Sequence, residues 1–466
     1  MQKFFEMDFL DRKEDMERLR TALKRDREQF IVIYGRRRIG KSTLVKRVLD
    51  FERGDIYFMA DRTSEASQRQ LFSSVAGQSV EGFGLATYPD WRSLLINLSN
   101  RLQHRITVCL DEFPYMVKSC PSLPSVLQNF LETVDRKFDL IICGSSQQLM
   151  QGLVLKKDEP LYGRADEIFR MKPIAPAYTM QAMDCTAEEA VEEYSVWGGV
   201  PRYWELRNNY NTLEAAVESL LLNPGGTLYE EPSRLLHDEM RDTVQASTLM
   251  SFIGTGANKL SEIAARAERP ASDLAKPLAN LRELGFISRH VPFGVDEKKN
   301  KKSIYCISDS LLRFHYHYVL PYRSILELGR GKTVLDVFLG QKSDYVAQCW
   351  EEICRNHVSG NLIEGTIYNK ASRWWGDILD DDGNVLPVEL DVVAESMDKR
   401  HLLIGECKWT GREDALKLKK RLDMIVRHLP FRKRFQEVHL CLFLKTMPTN
   451  ASCIKVFLPE EVMREA

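Results

Sequence analysis

Short apolar runs recur in the first third of the chain, each followed by a stretch in which apolar residues have helical spacing. The runs are FIVIY at residues 30–34, DIYFM at 55–59, RITVCLDEF at 105–113 and DLIICGSS at 139–146. Apolar strands that alternate with amphipathic helices are typical of a parallel sheet covered by helices on both faces. The pattern predicts an α/β domain over residues 1–175.

The pattern changes in the middle of the chain, where two helical segments precede two short strands. Residues 259–285 contain both helical segments, and residues 286–307 contain the strands and part of a basic tip at 298–302. This order predicts a winged-helix domain over residues 241–310. Three polar side chains of the second helix are candidates for contacts with DNA or RNA: Lys276, Asn280 and Arg282. The alternative is that the wing packs on the first domain and its lysines are only solvated.

The last third, residues 311–466, has the pattern of a helix, three strands, a second helix and a fourth strand. The first three strand-like runs are LIEGTIY at 362–368, PVELDVVAE at 387–395 and HLLIGECKW at 401–409. This order resembles the core of the PD-(D/E)xK nucleases. The resemblance implies a C-terminal α/β domain of the restriction-endonuclease type.

Composition adds little about partners, because the 466 residues carry 65 basic and 66 acidic side chains and a net charge of −1. A nucleic-acid surface would therefore have to be local. No apolar stretch is long enough to span a membrane, so we expect a cytoplasmic protein without a membrane partner. The ten cysteines form no CxxC pair and the histidines form no HExxH motif, which argues against disulfides and zinc.

The loop after the first strand, GRRRIGKS, fits the phosphate-loop pattern G-x-x-x-x-G-K-[ST]. Its glycines allow backbone N–H groups to surround a phosphate, and the following helix adds its dipole. Lys41 would contact the β and γ phosphates of ATP, and the Ser42 hydroxyl would hold Mg²⁺. The candidate nucleotide-binding residues are Gly35, Arg36, Arg37, Arg38, Ile39, Gly40, Lys41, Ser42 and Thr43.

Acidic residues at the end of the strand at 105–113 complete the predicted ATP site. Asp111 would hold Mg²⁺ through water, and Glu112 would polarise the attacking water. Ser145, after the next strand, is a candidate sensor of the γ-phosphate, and Arg164 is a candidate for stabilising transition-state charge, in cis or in trans. The length between Lys41 and Asp111 predicts an extra strand, as in the additional-strand class of P-loop NTPases.

Six segments together resemble a bacterial and archaeal ATPase family related to AAA+ and STAND proteins, often fused to a C-terminal domain of unknown function. They are FLDRKEDMERL, YGRRRIGKST, LDEFPYM, CGSS, PLYGR and WGGVPRYW. The resemblance implies that residues 9–19 pack near the adenine. It also implies that residues 197–204 belong to a helical lid over 176–240. Since backbone N–H groups form the phosphate cradle, we expect the three arginines, Arg36 to Arg38, to face outward, toward a partner domain, acidic groups or nucleic acid.

The C-terminal third carries the D…ExK residues of the nuclease pattern. Asp391 lies in one predicted strand, and Glu406 and Lys408 share a face of the next because strand side chains alternate. Asp391 and Glu406 are candidate Mg²⁺ ligands, and Lys408 would orient the attacking water or stabilise the developing charge. Glu351 is the candidate third acidic residue, with Glu352 as its substitute.

Two functions remain open at this level. One is an ATP-hydrolysing protein that controls a nuclease-like domain acting on DNA or RNA. The other is a nucleotide-gated regulatory scaffold, a STAND-like switch, whose C-terminal domain does not cut. The sequence leaves open whether the chain forms a homo-oligomer or binds a protein partner.

Overall fold

The computed structural model describes residues 9–240, 242–296 and 302–464, which form two compact units. The first unit extends to Ile174 and includes Val200–Arg202, and the second comprises Ala175–Gly199 and the chain from Tyr203 onwards. Of the basic tip expected at 298–302, only Lys302 belongs to the described residues. Among the described residues, no helix is both long and apolar enough to cross a membrane.

The first unit is built on a five-stranded parallel sheet in the order β2-β3-β4-β1-β5. The strands are β1 (Phe30–Tyr34), β2 (Ile56–Met59), β3 (Ile106–Asp111), β4 (Phe138–Gly144) and β5 (Glu167–Arg170). Strand β4 lies between β1 and β3, so the strand before the phosphate loop and the strand bearing Asp111 are not neighbours. This confirms the strand separation expected from the sequence, but the separating strand is β4, whereas the extra strand expected at 55–59, β2, lies at the edge of the sheet.

Helices cover both faces of this sheet, and β1 therefore contributes to two separate cores. Phe30 and Val32 belong to the larger cluster, whereas Ile31 and Ile33 belong to the smaller one on the opposite face. The helices are α1 (Lys13–Leu23), α2 (Lys41–Val48), α3 (Glu65–Ala76), α4 (Trp91–Arg101), α5 (Phe113–Ser119), α6 (Leu123–Thr133) and α7 (Gln147–Leu155). The burial of every residue in β1, β3 and β4 explains why their sequences are largely apolar.

Helices dominate the chain from residue 179 to 358. They are α8 (Thr179–Met183), α9 (Ala187–Trp197), α10 (Pro201–Arg207), α11 (Leu213–Leu220), α12 (Glu231–Glu239), α13 (Thr243–Gly254), α14 (Leu260–Ala267), α15 (Ala271–Glu283), α16 (Ser310–Phe314), α17 (Arg323–Glu327) and α18 (Gly331–Val358). A π-helical turn, His315–Val319, follows α16.

A small core joins α13, α14 and α15 to an antiparallel pair of strands, β6 (Ile287–His290) and β7 (Ile304–Ile307). Leu274, Leu278 and Leu281 are all buried on α15, at the helical spacing seen in the sequence. Lys276 and Arg282 lie on the exposed side of the same helix. The two helical segments and two strands expected here are present, and α13 is an additional helix that packs against them.

The C-terminal sheet is mixed and has the order β10-β11-β12-β13-β14. Its strands are β10 (Ser372–Leu379), β11 (Val385–Glu395), β12 (His401–Lys408), β13 (Glu437–Leu444) and β14 (Lys455–Phe457). Strands β10, β11 and β12 pair antiparallel, and β12, β13 and β14 pair parallel. Helix α19 (Ala415–His428) connects β12 to β13, and α20 (Pro459–Val462) follows β14.

The prediction that residues 362–368 form the first strand of the main C-terminal sheet is wrong. Residues 362–367 instead form a separate hairpin of β8 (Leu362–Ile363) and β9 (Thr366–Ile367). The reason is local, because Glu364 and Gly365 both have positive φ angles, 47° and 82°, which turn the chain back on itself. The place in the sheet is taken by β10, which the sequence pattern did not indicate.

Candidate functional site

The phosphate loop joins β1 to α2 and closes around the side chain of Lys41. The Lys41 ammonium is buried and donates hydrogen bonds of 3.0 Å to the carbonyl oxygens of Gly35 and Arg36. The loop therefore positions a cation at the start of α2, where the helix dipole also favours a negative charge.

Backbone conformation explains why this loop needs its glycines. Gly40 has φ +97°, which glycine adopts without steric cost, and Arg38 also has a positive φ of +68°. A Cβ atom at Gly35 would come within 2.7 Å of the Met171 carbonyl oxygen. Turns of this kind direct successive N–H groups toward one point and can hold an anion.

The arginine run does not present one uniform surface. Arg36 is buried, whereas Arg37 is exposed. The expectation that all three arginines face outward is therefore wrong for Arg36, whose carbonyl oxygen also accepts a hydrogen bond from Lys41.

Asp111 is the centre of a second group of side chains beside the loop. Its Oδ2 atom accepts a hydrogen bond of 2.5 Å from the Ser42 hydroxyl and another from the Tyr57 hydroxyl. Its Oδ1 atom accepts the N–H of Glu112 at 2.8 Å. Burial and the nearby Asp111 raise the pKa of Tyr57 far above its usual value, so this hydroxyl stays protonated and can donate. Ser42 and Asp111, the predicted Mg²⁺ pair, are thus in direct contact.

Glu112 and Ser145 also meet, although 33 positions separate them. The Ser145 hydroxyl donates a hydrogen bond of 2.8 Å to Glu112 Oε2. Glu112 lies between the end of β3 and the start of α5. Its backbone has φ +52°, which is unusual for a residue other than glycine. A strained residue at this position is consistent with a functional constraint.

Arg164 is in a different environment from the group around Lys41 and Asp111. Its Nε atom donates a hydrogen bond of 2.8 Å to Glu132 of α6, and the pair is partly exposed. A role for Arg164 in charge stabilisation therefore stays a prediction.

A second group of ionisable side chains lies in the C-terminal sheet, around Asp391 and Glu406. Strand β11 carries one extra residue relative to β10 near Asp391, because Trp374 pairs with Leu390 and Ser372 with Val393. Such a bulge redirects side chains and is common beside active sites. Asp391 Oδ2 accepts the backbone N–H of Cys407 at 2.9 Å, which holds this carboxyl group against β12.

Glu406 is buried, and its two carboxylate oxygens have different surroundings. Oε1 lies 2.9 Å from both Lys408 Nζ and Arg421 Nη1. Oε2 is also buried, and it has no hydrogen-bond partner within the described part of the chain. A buried carboxylate oxygen without a partner is costly, and a cation beside it would remove that cost.

Glu351, rather than Glu352, is the acidic residue of α18 that interacts with this group. The Glu351 carboxylate lies 3.5 Å from the Arg355 guanidinium and 3.6 Å from the Arg373 guanidinium. Arg355 also donates a hydrogen bond of 2.9 Å to the carbonyl oxygen of Asp391. Glu352 is exposed. The structure thus brings together Glu351, Asp391, Glu406 and Lys408.

Burial and neighbouring charges shift the pKa values of two side chains in this cluster. Burial, followed by repulsion from Glu351 and Glu406, raises the pKa of Asp391 to about 7. Burial alone would lower the pKa of Lys408, but attraction to Glu406 and Asp391 outweighs it and the pKa is raised. The cluster supplies carboxylate oxygens, the ligand type that a hard divalent cation such as Mg²⁺ prefers.

A cleft of about 760 Å³ lies beside the cluster within the second unit. Glu351 lines it together with several cationic or titratable side chains of the α13–β7 segment, α16, α18 and β10. These side chains are Lys259, His290, Arg313, Arg355 and Arg373. The cleft therefore offers basic groups next to a candidate metal site.

Several of these functional residues were missed by reasoning from the sequence. Tyr57, Arg373 and Arg421 reach the sites from elements that are distant along the chain, and no local motif marks them. Arg355 lies four positions after Glu351 on one helix, a spacing that could have indicated the pair.

We expect Mg²⁺ affinity at the C-terminal cluster to increase as the pH rises through about 7. The reason is that Asp391 must lose its proton to bind the cation, and its pKa is raised to about 7. Isothermal titration of Mg²⁺ into the Lys41→Ala variant between pH 6 and about 8.5 would measure this without the nucleotide site. The pH dependence of the Mg²⁺ affinity should disappear in Asp391→Asn. An unchanged pH profile in that variant would contradict the assignment of Asp391 as a Mg²⁺ ligand.

Two protein families match separate parts of the chain. Residues 9–206 match a family of ATPase domains found predominantly in Archaea, and residues 315–420 match a family of archaeal and bacterial proteins of unknown function. The uncharacterized protein MJECL04 of Methanocaldococcus jannaschii is 27% identical over 420 residues, which cover 87% of this chain and 88% of that protein.

Among solved structures, the Walker-type ATPase PABY2304 of Pyrococcus abyssi aligns with a TM-score of 0.51 at 19% identity, covering 66% of this chain and 96% of that one. The ORC2 protein of Aeropyrum pernix, solved as ADPNP and ADP complexes, aligns with a TM-score of 0.41 at 15% identity. The alignment covers 71% of this chain and 97% of that one. The first likeness shows a common fold. The chain therefore has an archaeal-type P-loop ATPase domain followed by a C-terminal domain of the second family.

Proposed function

We propose that this protein binds and hydrolyses ATP and uses its nucleotide state to control a C-terminal nuclease-like domain that acts on or binds nucleic acid. The proposal divides the chain into an ATPase domain at 1–175, a helical lid at 176–240, a winged helix at 241–310 and a nuclease-like domain at 311–466. The observation that carries the nuclease part is the cluster in which Asp391, with its raised pKa, lies beside buried Glu406 and Lys408.

For ATP, the start of α2 supplies the buried ammonium of Lys41 and the hydroxyl of Ser42. The end of β3 and the residue after it supply the carboxylates of Asp111 and Glu112. Lys41 would bind the phosphates, and Ser42 and Asp111 would hold Mg²⁺, which when bound neutralises part of the triphosphate charge. Glu112 would accept a proton from the attacking water, and its bond to Ser145 would keep it oriented before ATP binds.

For nucleic acid, the second unit supplies a basic cleft next to the carboxylates. Arg313, Arg355 and Arg373 line the cleft and suit the phosphates of a DNA or RNA strand. Lys276 and Arg282 on α15 would add phosphate contacts from the winged helix. Asp391 and Glu406 would hold Mg²⁺, which supplies an activated water when bound, and Lys408 would orient that water or stabilise the developing charge.

The alternative proposal is a nucleotide-gated regulatory scaffold whose C-terminal domain does not cut. It is favoured by the cations that already neutralise the carboxylates: Arg355 and Arg373 at Glu351, and Arg421 at Glu406. If these ion pairs persist when nucleic acid binds, they would compete with a metal for the same oxygens.

The cleavage assay with Asp391→Asn separates these two functions. We expect the wild type to cleave plasmid or single-stranded DNA or RNA with Mg²⁺, and Asp391→Asn to be at least about 100-fold slower because a metal ligand is lost. Asp377→Asn is the matched control, since Asp377 is an exposed carboxylate on the neighbouring strand β10. Equal cleavage by wild type and Asp391→Asn, or none by the wild type, would remove the catalytic role and leave the scaffold.

A further inference from the structure

Two histidines and a glutamate meet at the beginning of strands β12 and β13. His401 begins β12 and pairs in register with Glu437, the first residue of β13, and His439 follows two positions later on the same side of that strand. One ligand atom from each of these three side chains lies within 4.8 Å of the other two. The group combines two imidazoles and one carboxylate.

The distances in this group match those of a bound transition metal. His401 Nδ1 and His439 Nε2 lie 3.4 Å and 3.5 Å from Glu437 Oε2. Ligand atoms at the usual Zn–N and Zn–O bond lengths of about 2.0–2.2 Å in a tetrahedron are separated by about 3.3–3.6 Å. The two distances to Glu437 already match this spacing, and the His401 and His439 ligand atoms lie within 4.8 Å of each other.

The surroundings of the two rings also suit metal binding. The Tyr368 hydroxyl lies 2.9 Å from His439 Nδ1, and Tyr368 is fully buried, so the ring is held with Nε2 toward Glu437. Metal-binding histidines usually have such a partner on the second ring nitrogen. His401 Nδ1 is buried and makes no hydrogen bond to any residue that the structure describes.

This group is separate from the candidate magnesium site. His401 and Glu406 lie on one strand five positions apart, which corresponds to about 16 Å along the strand. Because side chains alternate along a strand, these two also point to opposite faces of the sheet. Metal binding at one group can therefore be tested without disturbing the other.

We propose that His401, Glu437 and His439 form a binding site for a transition metal ion, with Zn²⁺ as the favoured occupant. Two imidazoles and one carboxylate suit Zn²⁺ and disfavour Mg²⁺ and Ca²⁺, which prefer oxygen ligands. All three side chains retain some solvent exposure, so water can complete a fourth position. The ion would link β12 directly to β13, two strands that α19 connects along the chain. A motif search could not find this site, since its ligands lie on two strands.

The test is a titration of metal-free, full-length protein with Zn²⁺ alone, followed by titration with Co²⁺ to record the visible absorption of tetrahedral coordination. We expect one equivalent of Zn²⁺ to bind with low-micromolar or tighter affinity, and a repeat titration with excess Mg²⁺ to give the same result. His401→Gln and His439→Gln should each weaken binding by at least about 100-fold, and Tyr368→Phe by about 10–100-fold, because it loosens the His439 ring.

Two control variants make the result specific. His428→Gln removes a histidine of similar exposure that pairs with Asp381 in the same domain, and it should bind Zn²⁺ like the wild type. Asp391→Asn should also retain Zn²⁺ binding. Thermal unfolding without metal shows whether each variant is folded, and only the variants of the proposed site should lose the increase in unfolding temperature that Zn²⁺ produces.

Three results would overturn the proposal. One is no Zn²⁺ uptake by the wild type. Another is equal loss of binding in His428→Gln and in His439→Gln. The third is loss of binding in Asp391→Asn with retention in both histidine variants, which would place the ion on the carboxylates instead. None of these outcomes depends on whether the protein cleaves nucleic acid.

Discussion

Replacing Lys41 with alanine should abolish ATP binding, with a loss of affinity of at least about 100-fold, and should remove ATP turnover with it. The ammonium is buried and is held by two carbonyl oxygens of the loop, so it is already in place for the phosphates. Removing one member of a buried charge pair typically costs about 2–5 kcal/mol, because the other charge is left without its partner. Equilibrium titration with a fluorescent ATP analogue would measure the loss.

Lys46→Ala is the matched control for this experiment. Lys46 lies on the same helix, one turn further on, and its side chain is exposed above the Tyr57 ring. Its removal should change ATP affinity only a few-fold. Wild-type affinity in Lys41→Ala would be incompatible with a nucleotide site at this loop, and equal losses in both variants would point to a general effect of charge.

Glu112→Gln should lower the rate of ATP hydrolysis by about 10²–10⁴-fold while ATP still binds with nearly wild-type affinity. The amide keeps the shape of Glu112 and its contact with Ser145, but it cannot accept a proton from water. Single-turnover hydrolysis and a separate binding titration would distinguish the loss of kcat from the loss of affinity.

Glu81→Gln provides the control here, because Glu81 is an exposed carboxylate of the same unit. It should hydrolyse ATP at the wild-type rate. If Glu112→Gln hydrolyses ATP as fast as the wild type, Glu112 is not the water-polarising residue. If the wild type itself binds ATP tightly without turnover, the protein is better described as a nucleotide-gated switch.

The grouping of the proposed ATP-site residues could be predicted largely from the sequence because most of them follow buried strands. Gly35 to Ser42 are contiguous, and Asp111 and Ser145 each come at the end of an apolar run. The carboxyl ends of parallel strands meet at one edge of a sheet, so such residues are expected to be neighbours. Tyr57 was missed because its hydroxyl reaches Asp111 across the pairing of β2 with β3, which no pattern within one segment reveals.

The C-terminal site was predictable only in part. Alternation along β12 correctly placed Glu406 and Lys408 together, and their side chains do meet at 2.9 Å. The roles of these residues stay predictions. The sheet itself was assigned with one wrong strand, because the positive φ angles at Glu364 and Gly365 turn a β-rich segment into a small hairpin.

Features that depend on neighbouring residues followed from the amino-acid order: the buried strands, the phosphate loop and the helix that begins at Lys41. The identity of the charges that compensate one another, such as Arg373 at Glu351 and Arg421 at Glu406, became known from the three-dimensional packing. The packing also decided that His401 and His439, on strands separated by a whole helix, face a common point. The physical reason is that local conformation follows from short-range sterics and burial, whereas electrostatic partners are set by how distant segments pack.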